Sequence, residues 1–131
     1  SVGRRVPTIL GGVMGRASRV KGHGFEREIA RAFREKFPDI DAHRGYQYRD
    51  GADAPDVIVP GLCIECKRGK CTYPKKALQQ AIECADKQSE FTMPVAICKD
   101  DRSDTTVTML FEDFLDLLAA AWMDGGPVEE P

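Results

Sequence analysis

From Gly24 to Phe37 the apolar residues Phe25, Ile29, Phe33 and Phe37 recur at every fourth position, and Glu26, Arg27, Glu28, Arg31, Arg34 and Glu35 fill the gaps. That spacing predicts an amphipathic helix with one buried stripe, ended by Pro38. Residues 40–47 predict a first strand, and residues 48–54 (YRDGADA) are turn formers. Asp56–Val59 and Leu62–Lys67 then read as two strands joined by Pro60-Gly61, a pair suited to the two central positions of a type II turn. A second helix is expected from Pro74 to about Ser89, with Ala77, Leu78, Ala81, Ile82 and Ala85 as its apolar stripe. Val95–Lys99 and Thr105–Leu110 predict two short strands. A third helix, Phe111 to Met123, is expected to pack Phe111, Phe114, Leu115, Leu118 and Trp122 and to stop at Gly125-Gly126-Pro127. The order α-β-β-β-α-β-β-α predicts an α/β domain, a mixed central sheet flanked by helices.

A chain of 131 residues suits one domain with a single core. No apolar run reaches bilayer length, and the first residues lack a secretory pattern. Five cysteines, odd in number and irregular in spacing, point to a reducing compartment. The expectation is therefore a cytoplasmic protein. Net charge is −2, unevenly spread. Residues 1–21 carry five bases and no acid, whereas residues 71–131 hold five bases and twelve acids. We expect a basic N-terminal arm (1–21), one folded domain (22–123) and an acidic tail (124–131). Such an arm suits phosphate contact through Arg16, Arg19 and Lys21; the competing reading is a solvated leader.

The chemistry falls on the second and third strands. If Pro60-Gly61 closes a two-residue hairpin, Val59 faces Leu62, Ile58 faces Cys63, Val57 faces Ile64 and Asp56 faces Glu65. Residues opposite one another share a face, about 5 Å apart at Cβ, and Lys67 shares it with Glu65. Two carboxylates set opposite each other destabilise a hairpin unless a cation lies between them. Hard oxygen ligands with open positions suit Mg²⁺, with Mn²⁺ as a substitute. The adjoining lysine can orient a water or neutralise charge on a phosphate. The competing reading is a solvent-facing acid on a charged edge, but Glu65 interrupts the apolar run Leu62-Cys63-Ile64, where a lone acid is costly.

Pro55-Asp56, eight residues, then Glu65-Cys66-Lys67, on adjacent strands between two helices, resembles the signature of the PD-(D/E)XK nuclease superfamily. The helix KGHGFEREIARAF (Lys21–Phe33) resembles the opening helix of its Holliday junction resolvase branch, and KKALQQA (Lys75–Ala81) the helix after the motif in phage-type members. The resemblance implies a restriction-endonuclease-like fold over residues 21–118. It implies Asp56, Glu65, Glu26 and the Cys66 backbone carbonyl as metal ligands, with Lys67 and Gln80 completing the catalytic group. It further implies a homodimeric endodeoxyribonuclease that resolves four-way DNA junctions by paired cuts in recombination and repair, in a bacterial, archaeal or phage-infected cell. Arg44, Gln47, Tyr48 and Arg49, with Arg68 and Lys70, are candidate DNA contacts. Archaeal resolvases carry a serine in the loop before the aspartate, and residues 44–54 (RGYQYRDGADA) contain none. A nuclease for linear duplex or DNA ends, and a DNA-binding module without catalysis, are the alternatives. Neither a membrane nor a small-molecule cofactor is expected. Cys63 and Cys66, three apart on a strand, point to opposite faces and cannot grip one zinc together. Cys66 and Cys98 read as core residues.

Overall fold

The computed structural model describes residues 11–45 and 55–123, with side chains from His23 onward. The chain forms α1 (Gly11–Lys36), β1 (His43–Arg44), β2 (Val57–Val59), β3 (Leu62–Gly69), α2 (Pro74–Asp86), β4 (Met93–Asp100), β5 (Thr106–Met109) and α3 (Phe111–Met123). Five strands make one mixed sheet in the order β1-β2-β3-β4-β5. Only β3 and β4 are parallel, because α2 carries the chain from one end of the sheet back to the other.

The sheet is covered on both faces, and the side-chain period of two decides what each helix meets. On one face Ile64 and Cys66 of β3, Val57 and Val59 of β2, and Val95 and Ile97 of β4 pack with Phe25, Ile29 and Ala30 of α1. On the other, Ala96 and Cys98 of β4 meet Ala77 and Leu78 of α2. Strands buried on both faces lose the apolar-polar alternation, which is why Val95–Cys98 reads as one apolar run.

The hairpin register is the one the two-residue loop demands: Val59 pairs with Leu62, Ile58 with Cys63 and Val57 with Ile64. Gly61 has φ +83°, the left-handed value that the second central position of a type II turn requires and that glycine adopts without a Cβ clash. The first strand is shorter than expected, reduced to His43–Arg44 beside β2; residues 46–47 of the expected span lie outside the described residues. Conversely, α1 starts at Gly11, thirteen residues before its apolar period begins. Extending a helix already nucleated by the packed stretch Phe25–Phe33 adds a hydrogen bond per residue without repeating the nucleation cost.

The third helix has the expected bounds but not the expected packing. None of its residues is buried. Phe111, Phe114, Leu115 and Trp122 are exposed, Trp122 at 56% and Phe111 at 68%, and Leu118 is only partly covered. Periodicity reports that a helix has an apolar face; it does not report whether this chain covers it. Among the described residues, no helix is long and apolar enough to cross a membrane.

The core argument predicts the effect of one truncation. Ile64 is 1% exposed at the centre of the sheet, so Ile64→Ala should lower unfolding free energy in urea by about 2–5 kcal/mol. A loss under 1 kcal/mol would show that the α1 face is not packed as described.

Candidate active site

Asp56 stands just before β2, and its backbone is held on the ladder. Its N–H donates to the Ile64 carbonyl at 2.8 Å, although Val57 already pairs with Ile64. Two successive residues thus face one, a local bulge that re-aims the Asp56 side chain away from strict alternation. Its Oδ2 accepts the Cys66 N–H at 2.8 Å, a charge-assisted bond in a buried place. A strand residue presents its N–H and its C=O to the same edge. The Cys66 carbonyl therefore also points to the side where Asp56 stands.

Two further carboxylates surround this point. Glu65 lies next to Cys66 on β3, and its Oε2 is 3.4 Å from Lys67 Nζ. Glu26 projects from α1 and is only 7% exposed, so it is not a solvated helix acid; its Oε1 is 3.2 Å from Arg44 Nε. Burial, then the Asp56 charge, raises Glu26 to about 7 against the pull of Arg44. The same two causes raise Glu65 to about 7 against the pull of Lys67, and Glu26 adds to the rise. The three carboxylates feel one another strongly, and the two flanking cations do not compensate them fully.

Among the described residues, no group of three or more His, Cys, Asp or Glu is arranged to hold a metal ion. Mg²⁺ asks for less than that, since it is held through one or two carboxylates and keeps waters for the rest. Asp56, Glu65 and the Cys66 carbonyl supply oxygen donors of the kind such an ion takes. Glu26, tied to Arg44, adds its field to the site.

Beyond Lys67 the surface opens into a cavity of about 280 Å³, lined by Lys67, Arg68, Cys71, Thr72, Tyr73, Lys76, Ala77 and Gln80. It lies where β3 ends and α2 begins, the carboxyl-end crevice that open α/β sheets use for ligands. Its floor is fixed by Asp100, whose Oδ1 accepts both the Thr72 N–H at 2.9 Å and the Thr72 hydroxyl at 2.7 Å. Tyr73 has φ +48°, a strained backbone for an aromatic residue, of the kind that costs on the order of 1–3 kcal/mol.

Asp56, Glu65, Cys66, Lys67 and Glu26 thus gather at one point, and Gln80 shares the cavity with Lys67. The expected DNA contacts divide. Lys70 is exposed near the cavity. Arg44 is engaged with Glu26. The Arg68 side chain, 10% exposed, turns to the α1 face, 3.6 Å from Glu28 and over the Phe25 ring; that burial does not suit a surface contact. Gln47, Tyr48 and Arg49 lie outside the described residues, as do the side chains of Arg16, Arg19 and Lys21. Thr72, Tyr73, Lys76 and Asp100 were not expected at the site. The available signal was a helix opening with Lys75-Lys76 and no acid. Cys63 and Cys66 occupy opposite faces as expected, Cys63 donating to Cys84 Sγ at 3.2 Å and Cys66 packing toward α1. All five cysteines are free thiols.

No family model matches the chain, and no solved structure matches it. Among curated proteins the chain is similar to adenine deaminase 3 of Rhizobium johnstonii, with 32% identity over 98 residues. The similar stretch is 75% of this chain and 16% of that enzyme, so the chain spans about a sixth of the length of the curated relative it matches.

The raised acids predict a pH dependence. Glu26 and Glu65 bind protons more tightly folded, at about 7, than unfolded, at about 4.5. Their contribution to stability is fully present below pH 4.5 and is lost as pH rises through 7. In EDTA, the melting temperature should therefore fall by several degrees from pH 5 to pH 8, and Glu65→Gln should flatten that slope. An equal slope in the variant would show that Glu65 is ionised without strain.

Proposed function

We propose that this chain is a metal-dependent PD-(D/E)XK endonuclease with a restriction-endonuclease-like core, acting on branched DNA. The observation that carries the reading is Asp56 bonded to the Cys66 N–H, with Glu65 next to Cys66 and paired to Lys67, which lines the cavity. A buried and a half-buried carboxylate with one lysine beside them fit hydrolysis of a phosphodiester, where negative charge grows on the phosphoryl oxygens.

Asp56, Glu65 and the Cys66 carbonyl would hold Mg²⁺ or Mn²⁺. When bound, the ion makes water acidic enough to attack at neutral pH and draws charge from the phosphate. Asp56 is oriented by the Cys66 N–H, so its second oxygen is presented in one direction. Lys67, paired with Glu65, is within reach of a water on that carboxylate and stands at the wall of the cavity. Gln80 supplies an amide to the same cavity wall. Attack in line by the water leaves a 5′-phosphate and a 3′-hydroxyl.

Resolving a four-way junction needs two cuts related by a two-fold axis, hence a C2 homodimer. We assign the second copy to the uncovered apolar face of α3. Phe111, Phe114, Leu115 and Trp122 share one helical face and are all exposed on it. Antiparallel pairing of two α3 helices also keeps the acidic first turns, Glu112 and Asp113, at opposite ends.

A second reading is adenine deamination, the activity named for the Rhizobium enzyme. The similarity covers 16% of that enzyme, whereas Asp56 and the Glu65–Lys67 pair are positioned by this chain's own strands, so the nuclease reading is the better supported.

On a labelled four-way junction, the wild type should make paired cuts with Mg²⁺ and none in EDTA. Asp56→Asn and Lys67→Ala should lower the rate at least a hundredfold while binding persists. Normal cutting by Asp56→Asn would overturn the site, and equal cutting of linear duplex would remove the junction preference. Ammonia released from adenine without DNA cutting would favour the deaminase. Sedimentation should give a dimer that Trp122→Glu converts to a monomer with unchanged helix content; a monomeric wild type would overturn the α3 interface.

A further inference from the structure

The second helix is charged against its own dipole. A helix N-terminus carries partial positive charge and favours acids, while its C-terminus favours bases. In α2 the first turn holds Lys75 and Lys76 and no acid, and the last turn holds no base. Glu83 and Asp86 stand near its end instead. Tyr73 at the N-cap gives no side-chain cap, and Pro74 follows it. Lys70, Lys75 and Lys76 are all exposed. No ion pair is found for any of the three among the described residues. The positive end of the helix is thus made more positive.

This charge borders a cavity and not a flat surface. Lys76 and Lys67 line its walls, with Thr72, Tyr73 and Gln80. The loop that shapes it is clamped by two hydrogen bonds from Thr72 to Asp100. Asp100 is occupied by that clamp, and Glu65, the nearest acid on β3, is paired with Lys67. A cavity of about 280 Å³ has room for a phosphate and part of a sugar.

We propose that this cavity is a phosphate subsite for a backbone phosphate next to the one being cut, with Lys76 as its main binding residue and Lys75 and Lys70 at its rim. The inference rests on the nuclease reading and adds to it a residue that fixes where the strand runs. The strand then passes from the Asp56–Glu65 point along the start of α2. Lys76 acts on the substrate's position, through a phosphate that does not react.

The test separates binding from cutting. Affinity for a short duplex with a flap is measured in EDTA at several salt concentrations, then kcat and KM with Mg²⁺, for wild type, Lys76→Ala and Lys76→Arg. Lys36→Ala serves as control, since Lys36 lies ten residues along α1 from Glu26, roughly 15 Å away by helical rise. Loss of one phosphate contact should reduce the slope of log affinity against log salt by about 0.9. Lys76→Ala should show that change and raise KM several-fold more than it lowers kcat, and Lys76→Arg should restore both. An unchanged salt slope and KM in Lys76→Ala, beside a wild type that cuts, would overturn the subsite and leave the nuclease standing. A wild type that neither binds nor cuts DNA would overturn the nuclease reading and the subsite with it.

Discussion

The bond from the Cys66 N–H to the Asp56 carboxylate joins the start of β2 to the middle of β3, and the rest of the site is positioned from that joint. Asp56 reaches Cys66 because the chain bulges opposite Ile64. The bulge is possible because the Pro60-Gly61 turn fixes the register three residues away. Glu65 and Lys67 flank Cys66 on the same strand, so they arrive at Asp56 without any further device. Only Glu26 comes from a distant part of the chain, carried in by the packing of Phe25 and Ile29 on the sheet.

The price of this arrangement is paid in electrostatics. Glu26 and Glu65 are both pushed toward neutrality by burial and by Asp56, and α2 opens with lysines where a helix prefers acids. One region holds excess negative charge, and the neighbouring cavity holds excess positive charge. Each is unfavourable for the folded chain alone, and each is relieved by a ligand of opposite sign. A substrate phosphate with a divalent ion supplies both signs together, which is the physical basis of the proposed function.

The uncovered third helix belongs to a different problem. Thirteen residues are marginal as an isolated helix in water, and an apolar stripe left open favours association. The chain enters this helix directly from β5, an edge strand of the sheet. Strand edges present unpaired backbone groups, so the helix and the edge are each open to a partner.

Much of this was legible in the sequence because the signals are local. The Phe25–Phe33 period, the Pro-Gly turn and the alternation around Glu65 each depend on a few neighbouring residues, and α3 has the expected bounds for the same reason; Phe37, expected on the same buried stripe, lies past the helix end and is exposed. The hairpin register from Val57 to Leu62 followed from the length of one turn, but the expected facing of Asp56 and Glu65 did not, since the bulge sets Asp56 opposite Ile64 and bonds its carboxylate to the Cys66 N–H. Tertiary structure decided what depends on distant partners. It buried Glu26 and gave it Arg44, turned Arg68 inward onto Phe25, and clamped Thr72 to Asp100 across 28 residues. It also left the α3 stripe bare, since an amphipathic pattern states only that a face must be covered. What covers it depends on how far the rest of the chain can reach.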